Sequence, residues 1–166
     1  MTFVFEAESA NYGEGIGNVT SLKKLSRDGG RAYTYISRQA LRYNIINQMG
    51  CDNTPLDLYK DVIQFAPDAT IKDYPEIDLF GYMKTIKPIR TRPAVTRLSN
   101  AIALETFNAD LDFLTNKNLL DRYNEDVSKK KNGSNISQSE IHKSYYSYTI
   151  TIDLDKVGID KNDKIE

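Results

Sequence analysis

The sequence predicts an α+β fold within a single domain spanning residues 1–166. Segments of alternating apolar and polar residues near both ends predict β-strands, and one amphipathic segment between them predicts a helix. Hydrophobic residues make up 40% of the chain and aromatic residues 10%, which is enough apolar surface for a core. This composition excludes an intrinsically disordered chain.

The first 36 residues are predicted to be mainly extended. Residues 2–8 alternate as a strand does, and the glycine-rich residues 11–18 predict a loop. Residues 21–27 predict a short helical turn that ends before Asp28-Gly29-Gly30. Residues 31–36 predict a second strand.

The clearest helix covers residues 38–49. Ser37 is a favourable N-cap residue, and Gly50 is a typical C-terminal stop. Three apolar residues fall on one stripe of this helix at a spacing of four, so we expect them to face a sheet: Leu41, Ile45 and Met49.

The second half is predicted to contain an acidic insertion, several strands and a mobile loop. Residues 49–79 form the acidic insertion, which we expect to be irregular except for a short helix near residues 56–65.

Residues 80–83 and 93–104 are predicted to be extended, and residues 110–123 to be a loop or short helix. The polar, low-complexity residues 128–139 predict a mobile loop. The strongest strand pattern follows, with one apolar face made of Tyr146, Tyr148, Ile150, Ile152 and Leu154.

Several classes of protein are excluded by what the sequence lacks. A single cysteine, Cys51, cannot form an intramolecular disulfide, and with a single histidine, His142, it cannot build the usual Cys/His zinc sites. No apolar run reaches the roughly 18 residues of a membrane span, and residues 1–6 lack the features of a signal peptide. We therefore expect a cytoplasmic protein with no membrane partner, no metal site and no cofactor.

Charge is distributed very unevenly, although 22 basic and 23 acidic residues nearly cancel. Residues 19–48 carry a net charge of +5, residues 49–79 a net charge of −5, and residues 84–99 a further +5. Most protein surfaces mix both signs, so two basic blocks indicate an anionic partner. Arg38 and Arg42 repel each other at i, i+4 and lie near a helix N-terminus that favours phosphate. The alternative is that Arg38 pairs with an acidic residue of the insertion.

Three other motifs have ordinary structural explanations. The Gly13-x-Gly15-x-Gly17 pattern departs from the dinucleotide fingerprint and is better explained as a conformational loop, which could still offer N–H groups to one phosphate. Asp110 and Asp112 are more easily explained as loop-capping residues than as metal ligands. Tyr145, Tyr146 and Tyr148 resemble a base-stacking platform, but the RNP signature is absent and packing is the simpler role for most of them.

His142 and Lys143 could belong to a metal-independent ribonuclease. In such a site the histidine acts as general base and the lysine stabilises the phosphorane, with Tyr145 and Tyr146 nearby. The alternative, which we favour, is a surface histidine that precedes a strand, because the sequence offers it no orienting partner.

Five ordered blocks resemble the CRISPR-associated DevR family, which supplies the backbone subunit of type I-B Cascade-like interference complexes. The blocks are NYGEGIGN at 11–18, YISRQALRY at 35–43, DLFGYM at 78–83, RPAV to SNA at 92–101, and EIHKSYY at 140–146. The resemblance implies an RRM-like (ferredoxin-like) core with insertions. It also implies copies that assemble head-to-tail along a CRISPR RNA with other CRISPR complex subunits, and that meet target DNA indirectly, for antiviral defence. It implies no catalysis. Two alternatives stay open: a ferredoxin-like CRISPR repeat endoribonuclease that uses His142 and Lys143, and an assembly subunit that contacts only protein.

The resemblance also implies which residues contact the guide RNA. The segment at residues 36–42 is similar to the S-x-Q-x-L-[K/R] element of the wider superfamily, so the contacts fall on Ser37, Arg38, Gln39 and Arg42. Asn18, Lys23 and Lys24, in the preceding segment, are assigned supporting contacts. Because a complete ferredoxin-like core has two βαβ units, we expect this chain to be the N-terminal part of such a subunit, without the second helix and last strand.

Overall fold

The computed structural model describes residues 1–8, 10–115, 117–125 and 136–165. In these residues the chain forms a mixed α+β structure that is rich in strands. The strands are β1 (Thr2–Ala7), β2 (Tyr12–Ile16), β3 (Val19–Leu22), β4 (Lys24–Arg27), β5 (Arg31–Ile36), β6 (Leu56–Tyr59), β7 (Val62–Phe65), β8 (Tyr82–Lys84), β9 (Arg90–Arg92), β10 (Thr96–Leu98), β11 (Ala101–Ala103), β12 (Asp110–Thr115), β13 (Ile136–Ile141) and β14 (Ser144–Ile152). The helices are α1 (Arg38–Met49), α2 (Pro75–Phe80) and α3 (Lys117–Asn124).

The chain divides into two compact units. Unit 1 comprises residues 1–2, 38–99 and 149–166, and unit 2 comprises residues 3–37 and 100–148. None of the described helices is both long enough and apolar enough to cross a membrane.

Unit 1 contains α1, α2 and three antiparallel strand pairs. β6 pairs with β7, β8 pairs with β9, and β10 pairs with the last three residues of β14. Its core is a cluster of buried side chains around α2, made of Ala69, Ile71, Ile77 and Tyr82. Pro75 at the start of α2 and two acidic residues in its first turn favour this short helix.

Gly81 ends α2 in a place that only glycine can occupy. Its φ is +72°, and a Cβ there would lie 2.3 Å from the carbonyl oxygen of Arg92. Because glycine has no Cβ, the backbone at Gly81 can pass close to Arg92 as the chain leaves α2 and enters β8. β8 then pairs with β9, beginning with Tyr82 opposite Arg92.

Unit 2 contains two sheets. One has the strand order β1-β14-β11-β5-β4, and the other has the order β12-β13-β3-β2. In the second sheet β13 and β3 are parallel, whereas the neighbouring pairs are antiparallel. Tyr146 of β14 is fully buried, and Ala101, Ala103 and Leu22 are buried with it as core residues of this unit.

The predicted strands at residues 2–8 and 31–36, the helix and the last strand are confirmed as β1, β5, α1 and β14. The predicted apolar face of the last strand is too long, because β14 ends at Ile152 and Leu154 lies exposed in the 3-10 turn that follows. The predicted stripe on α1 is only partly correct. Leu41 and Ile45 are half-buried, but Met49 is 46% exposed, and the adjacent Ile46 is the buried residue of the helix. The buried face of α1 is therefore centred near Ile46 and not on the predicted stripe of Leu41, Ile45 and Met49.

Two predicted helical segments are wrong because short strands pair locally instead. Residues 21–27 lie in β3 and β4 rather than in a helical turn. Residues 56–65 form the β6–β7 hairpin, in which Lys60 and Asp61 both have positive φ, as a type I′ turn requires. The glycine-rich loop is likewise largely strand, since β2 runs from Tyr12 to Ile16 and turns at Gly17 into β3.

The remaining differences lie in the second half of the chain. Residues 80–83 divide between α2 and β8, and residues 93–104 contain two short strands, β10 and β11. Residues 110–123 hold β12 and most of α3. Within the predicted mobile loop at 128–139, Ile136–Ser139 belong to β13, and residues 128–135 lie outside the described part of the chain.

Candidate functional site

Three of the predicted RNA-contacting residues lie together at the start of α1. Arg38, Gln39 and Arg42 line a cavity of about 430 Å³ in unit 1. The rest of its lining comes from the end of α2 and from the β10 region: Phe80, Ala94, Thr96, Arg97 and Leu98. The cavity therefore combines arginine side chains with an apolar wall.

Arg42 is held in place by two contacts within unit 1. Its Nη2 donates a hydrogen bond to Glu76 Oε1 at 2.8 Å, and its guanidinium carbon lies 4.9 Å from the centre of the Phe80 ring. An acidic residue of the 49–79 segment thus pairs with this helix, and its partner is Arg42. The pair is half-buried, so it orients the guanidinium at the edge of the cavity.

Sequence reasoning missed the far wall of the cavity. Arg97 was counted in the second basic block but not assigned to the site; its side chain is 68% exposed and lies 3.9 Å from Asp153 Oδ2. Phe80 and Thr96 carried no signal in the sequence, because only the packing of α2 and β10 near α1 brings them to the cavity.

The rest of the second basic block is largely structural. The Lys84 side chain is 1% exposed and donates hydrogen bonds to the carbonyls of Pro67 and Ala69; burial lowers its pKa. Arg90 Nη1 lies 2.6 Å from Asp163 Oδ1. Arg92 is buried and pairs with Asp78, while it also donates to the backbone carbonyls of residues 156 and 159.

The remaining predicted contacts lie in unit 2. Ser37 is buried, and its hydroxyl accepts a hydrogen bond from Asn11 Nδ2 at 3.0 Å. Asn18 is exposed at the turn between β2 and β3. Lys23 lines a shallow cavity of about 310 Å³. Lys24 Nζ lies 2.6 Å from Glu140 Oε1 and 4.5 Å from the centre of the Phe107 ring, so its charge already has an internal partner.

His142 is a buried residue rather than a surface one. It is 8% exposed, its Nδ1 lies 2.7 Å from Thr34 Oγ1, and the same hydroxyl lies 2.8 Å from the Tyr146 hydroxyl. The expectation of a surface histidine without an orienting partner is therefore wrong. This burial also gives a ribonuclease site at His142 and Lys143 no support, because the Lys143 side chain is exposed beside Glu6 at 3.3 Å.

The tyrosines of β14 differ in burial. Tyr146 is fully buried and Tyr148 stacks on Phe3, with ring centres 5.1 Å apart. Tyr145 is exposed. Packing within unit 2 therefore accounts for two of the three.

Comparison with known families identifies the chain. The profile of the family described as "CRISPR-associated negative auto-regulator DevR/Csa2" matches residues 1–166. The chain belongs to the DevR/Csa2 family. It is thus a CRISPR-associated protein, and the match extends over both units. No curated protein is significantly similar to it.

Proposed function

We propose that this DevR/Csa2 family protein is the CRISPR RNA-binding backbone subunit of a type I-B Cascade-like complex. In this role its RRM-like core holds the guide, its copies associate head-to-tail along the RNA, and other CRISPR subunits and target DNA join the assembly. The protein acts by binding, without catalysis or a cofactor. The observation that carries the proposal is the cavity of unit 1, where Arg38, Gln39 and Arg42 lie together with Arg97.

The chemistry of this cavity suits a guide of any sequence. Guanidinium groups recognise phosphates, whereas sequence-specific readout needs polar groups directed at base edges. A backbone subunit must leave those base edges free for pairing with target DNA. A lining of arginines, one glutamine and apolar side chains meets that requirement.

The proposal predicts RNA binding that depends on the α1 arginines and on salt. Full-length protein should bind single-stranded RNA of any sequence, with an affinity that falls steeply as salt rises. Replacing both arginines, as Arg38→Gln with Arg42→Gln, should lower the affinity and reduce the slope of log K against log salt by about 0.7 to 1.4. Each phosphate contact on a single strand contributes about 0.7, and Glu76 already compensates part of the Arg42 charge. Fluorescence anisotropy at several salt concentrations measures both quantities.

A matched control removes the same charge elsewhere. Arg27 and Arg31 are exposed on the β4–β5 hairpin of unit 2 and belong to the same basic block in the sequence. Arg27→Gln with Arg31→Gln should leave the slope unchanged. Equal slopes for the two double variants would contradict the site assignment, and an absence of RNA binding by the unaltered protein would contradict the proposed function.

A further inference from the structure

Thr96, in the wall of the unit 1 cavity, has a buried hydroxyl group that no other side chain or backbone group in the described part of the chain uses. The residue lies in β10, is 6% exposed and lines the cavity. Its Oγ1 is buried and has no hydrogen-bond partner among the described residues. A buried hydroxyl without a partner destabilises the folded protein, whereas valine would fill the same volume without this penalty. The side chain is therefore suited to a ligand that brings its own polar partner.

The surroundings of Thr96 indicate what that ligand is. Arg38, Arg42 and Arg97 give the cavity a cationic side, while Phe80 and Leu98 give it an apolar side. Its volume of about 430 Å³ lies within the range of about 300–1,000 Å³ typical of small-ligand sites. A nucleotide unit of a single strand matches this combination, because its phosphate suits the arginines and its sugar and base suit the apolar wall.

We propose that Thr96 hydrogen-bonds the ribose 2′-hydroxyl of a nucleotide in this cavity and so selects RNA over DNA. Phosphate is common to both nucleic acids, and the arginines are sufficient to bind it. The 2′-hydroxyl is the group that distinguishes RNA, and it both donates and accepts hydrogen bonds, as a threonine hydroxyl does. A change of χ1 to another staggered rotamer moves Oγ1 to a different side of Cβ without moving the backbone, and the proposal requires the rotamer in which the hydroxyl faces the cavity.

This inference rests on the proposed function, since it assumes that the RNA occupies this cavity. It adds the residue responsible for sugar specificity, which lies in β10 rather than in α1. Thr96 is a positioning and specificity residue, and it takes part in no reaction.

The test compares sugars as well as side chains. Full-length protein, Thr96→Val and Thr96→Ser are titrated with single strands of one sequence made as RNA, 2′-fluoro RNA and DNA. The 2′-fluoro strand keeps an RNA-like sugar but cannot donate a hydrogen bond. We expect the unaltered protein and Thr96→Ser to prefer RNA over both other strands by about 3- to 10-fold, and Thr96→Val to bind all three strands equally.

Each outcome supports or overturns the inference. Loss of the preference in Thr96→Val with unchanged DNA affinity supports it. An unchanged preference in Thr96→Val overturns it while leaving the proposed function intact, and absence of RNA binding by the unaltered protein overturns both. Thermal unfolding checks that Thr96→Val is at least as stable as the unaltered chain. If that variant fails to fold, equal binding of RNA and 2′-fluoro RNA by the unaltered protein still overturns the inference.

Discussion

The two basic blocks carry the same net charge of +5 but have different roles in the structure. In residues 84–99, Lys84, Arg90 and Arg92 are buried or paired within unit 1. In residues 19–48, by contrast, Arg27, Arg31 and Arg38 have exposed side chains. The comparison shows that two sequence segments of equal net charge can differ in how far their cations are buried and paired in the fold, which depends on where the acidic residues lie.

The largest expected effect comes from breaking the buried network of the second block. Arg92→Gln leaves the Asp78 carboxylate buried without its cationic partner, although the Gly158 N–H still donates to it. Removing one partner of a buried ion pair costs about 3–5 kcal/mol of unfolding free energy. Urea unfolding at neutral pH measures this loss.

Arg97→Gln is the matched control, because Arg97 belongs to the same block but is mostly exposed. It should change the unfolding free energy by less than about 1 kcal/mol and should instead reduce the salt dependence of RNA binding. Similar destabilisation by both variants would contradict the division between a structural and a binding part of this block.

A second, smaller effect is expected at alkaline pH in the same unit. Burial and a hydrogen bond to Asp160 raise the pKa of Tyr82 to about 12. Because the unfolded phenol ionises near pH 10 and the folded one near pH 12, this contribution to stability is fully present below pH 10 and is lost as pH rises toward 12. The loss is about 2 kcal/mol.

Comparison with Tyr82→Phe isolates this contribution, since phenylalanine cannot ionise and the other tyrosines titrate in both proteins. Denaturant unfolding between pH 9 and 12 should show a shallower decline for Tyr82→Phe than for the unaltered chain. Parallel curves would mean that the phenol does not control the alkaline stability of unit 1.

The smallest effect is expected for Lys24 in the first block. Its ion pair with Glu140 is partly exposed, and Glu140 also accepts a hydrogen bond from the backbone N–H of Leu22. Lys24→Gln should therefore cost less than about 1 kcal/mol of stability and should lower RNA affinity less than Arg38→Gln does, because Glu140 already compensates the lysine charge. An equal or larger loss of RNA affinity would place Lys24 among the principal RNA contacts.

The strong local patterns were predictable from the sequence, and the weak ones were not. The β14 alternation and the helix α1, flanked by Ser37 and Gly50, carry their signal within about ten residues, so both were found. The β6–β7 hairpin was missed because its strands are only four residues long and its Lys60-Asp61 turn lacks the usual glycine. Residues 21–27 were misassigned because they form two strands of only four residues each, which become extended by pairing with β2 and β5 rather than through a pattern of their own.

By itself, the sequence determined the α+β class, the helix that carries Arg38, Gln39 and Arg42, and the resemblance to the DevR/Csa2 family, whose profile matches the whole chain. Only the tertiary structure decided which charges are paired inside the fold and which side chains line the cavity. It paired Arg92 with Asp78 and Arg42 with Glu76, and it brought Thr96 and Arg97 to the cavity beside α1. The physical reason is that charge and burial are set by neighbours distant in sequence, which local pattern and composition do not specify.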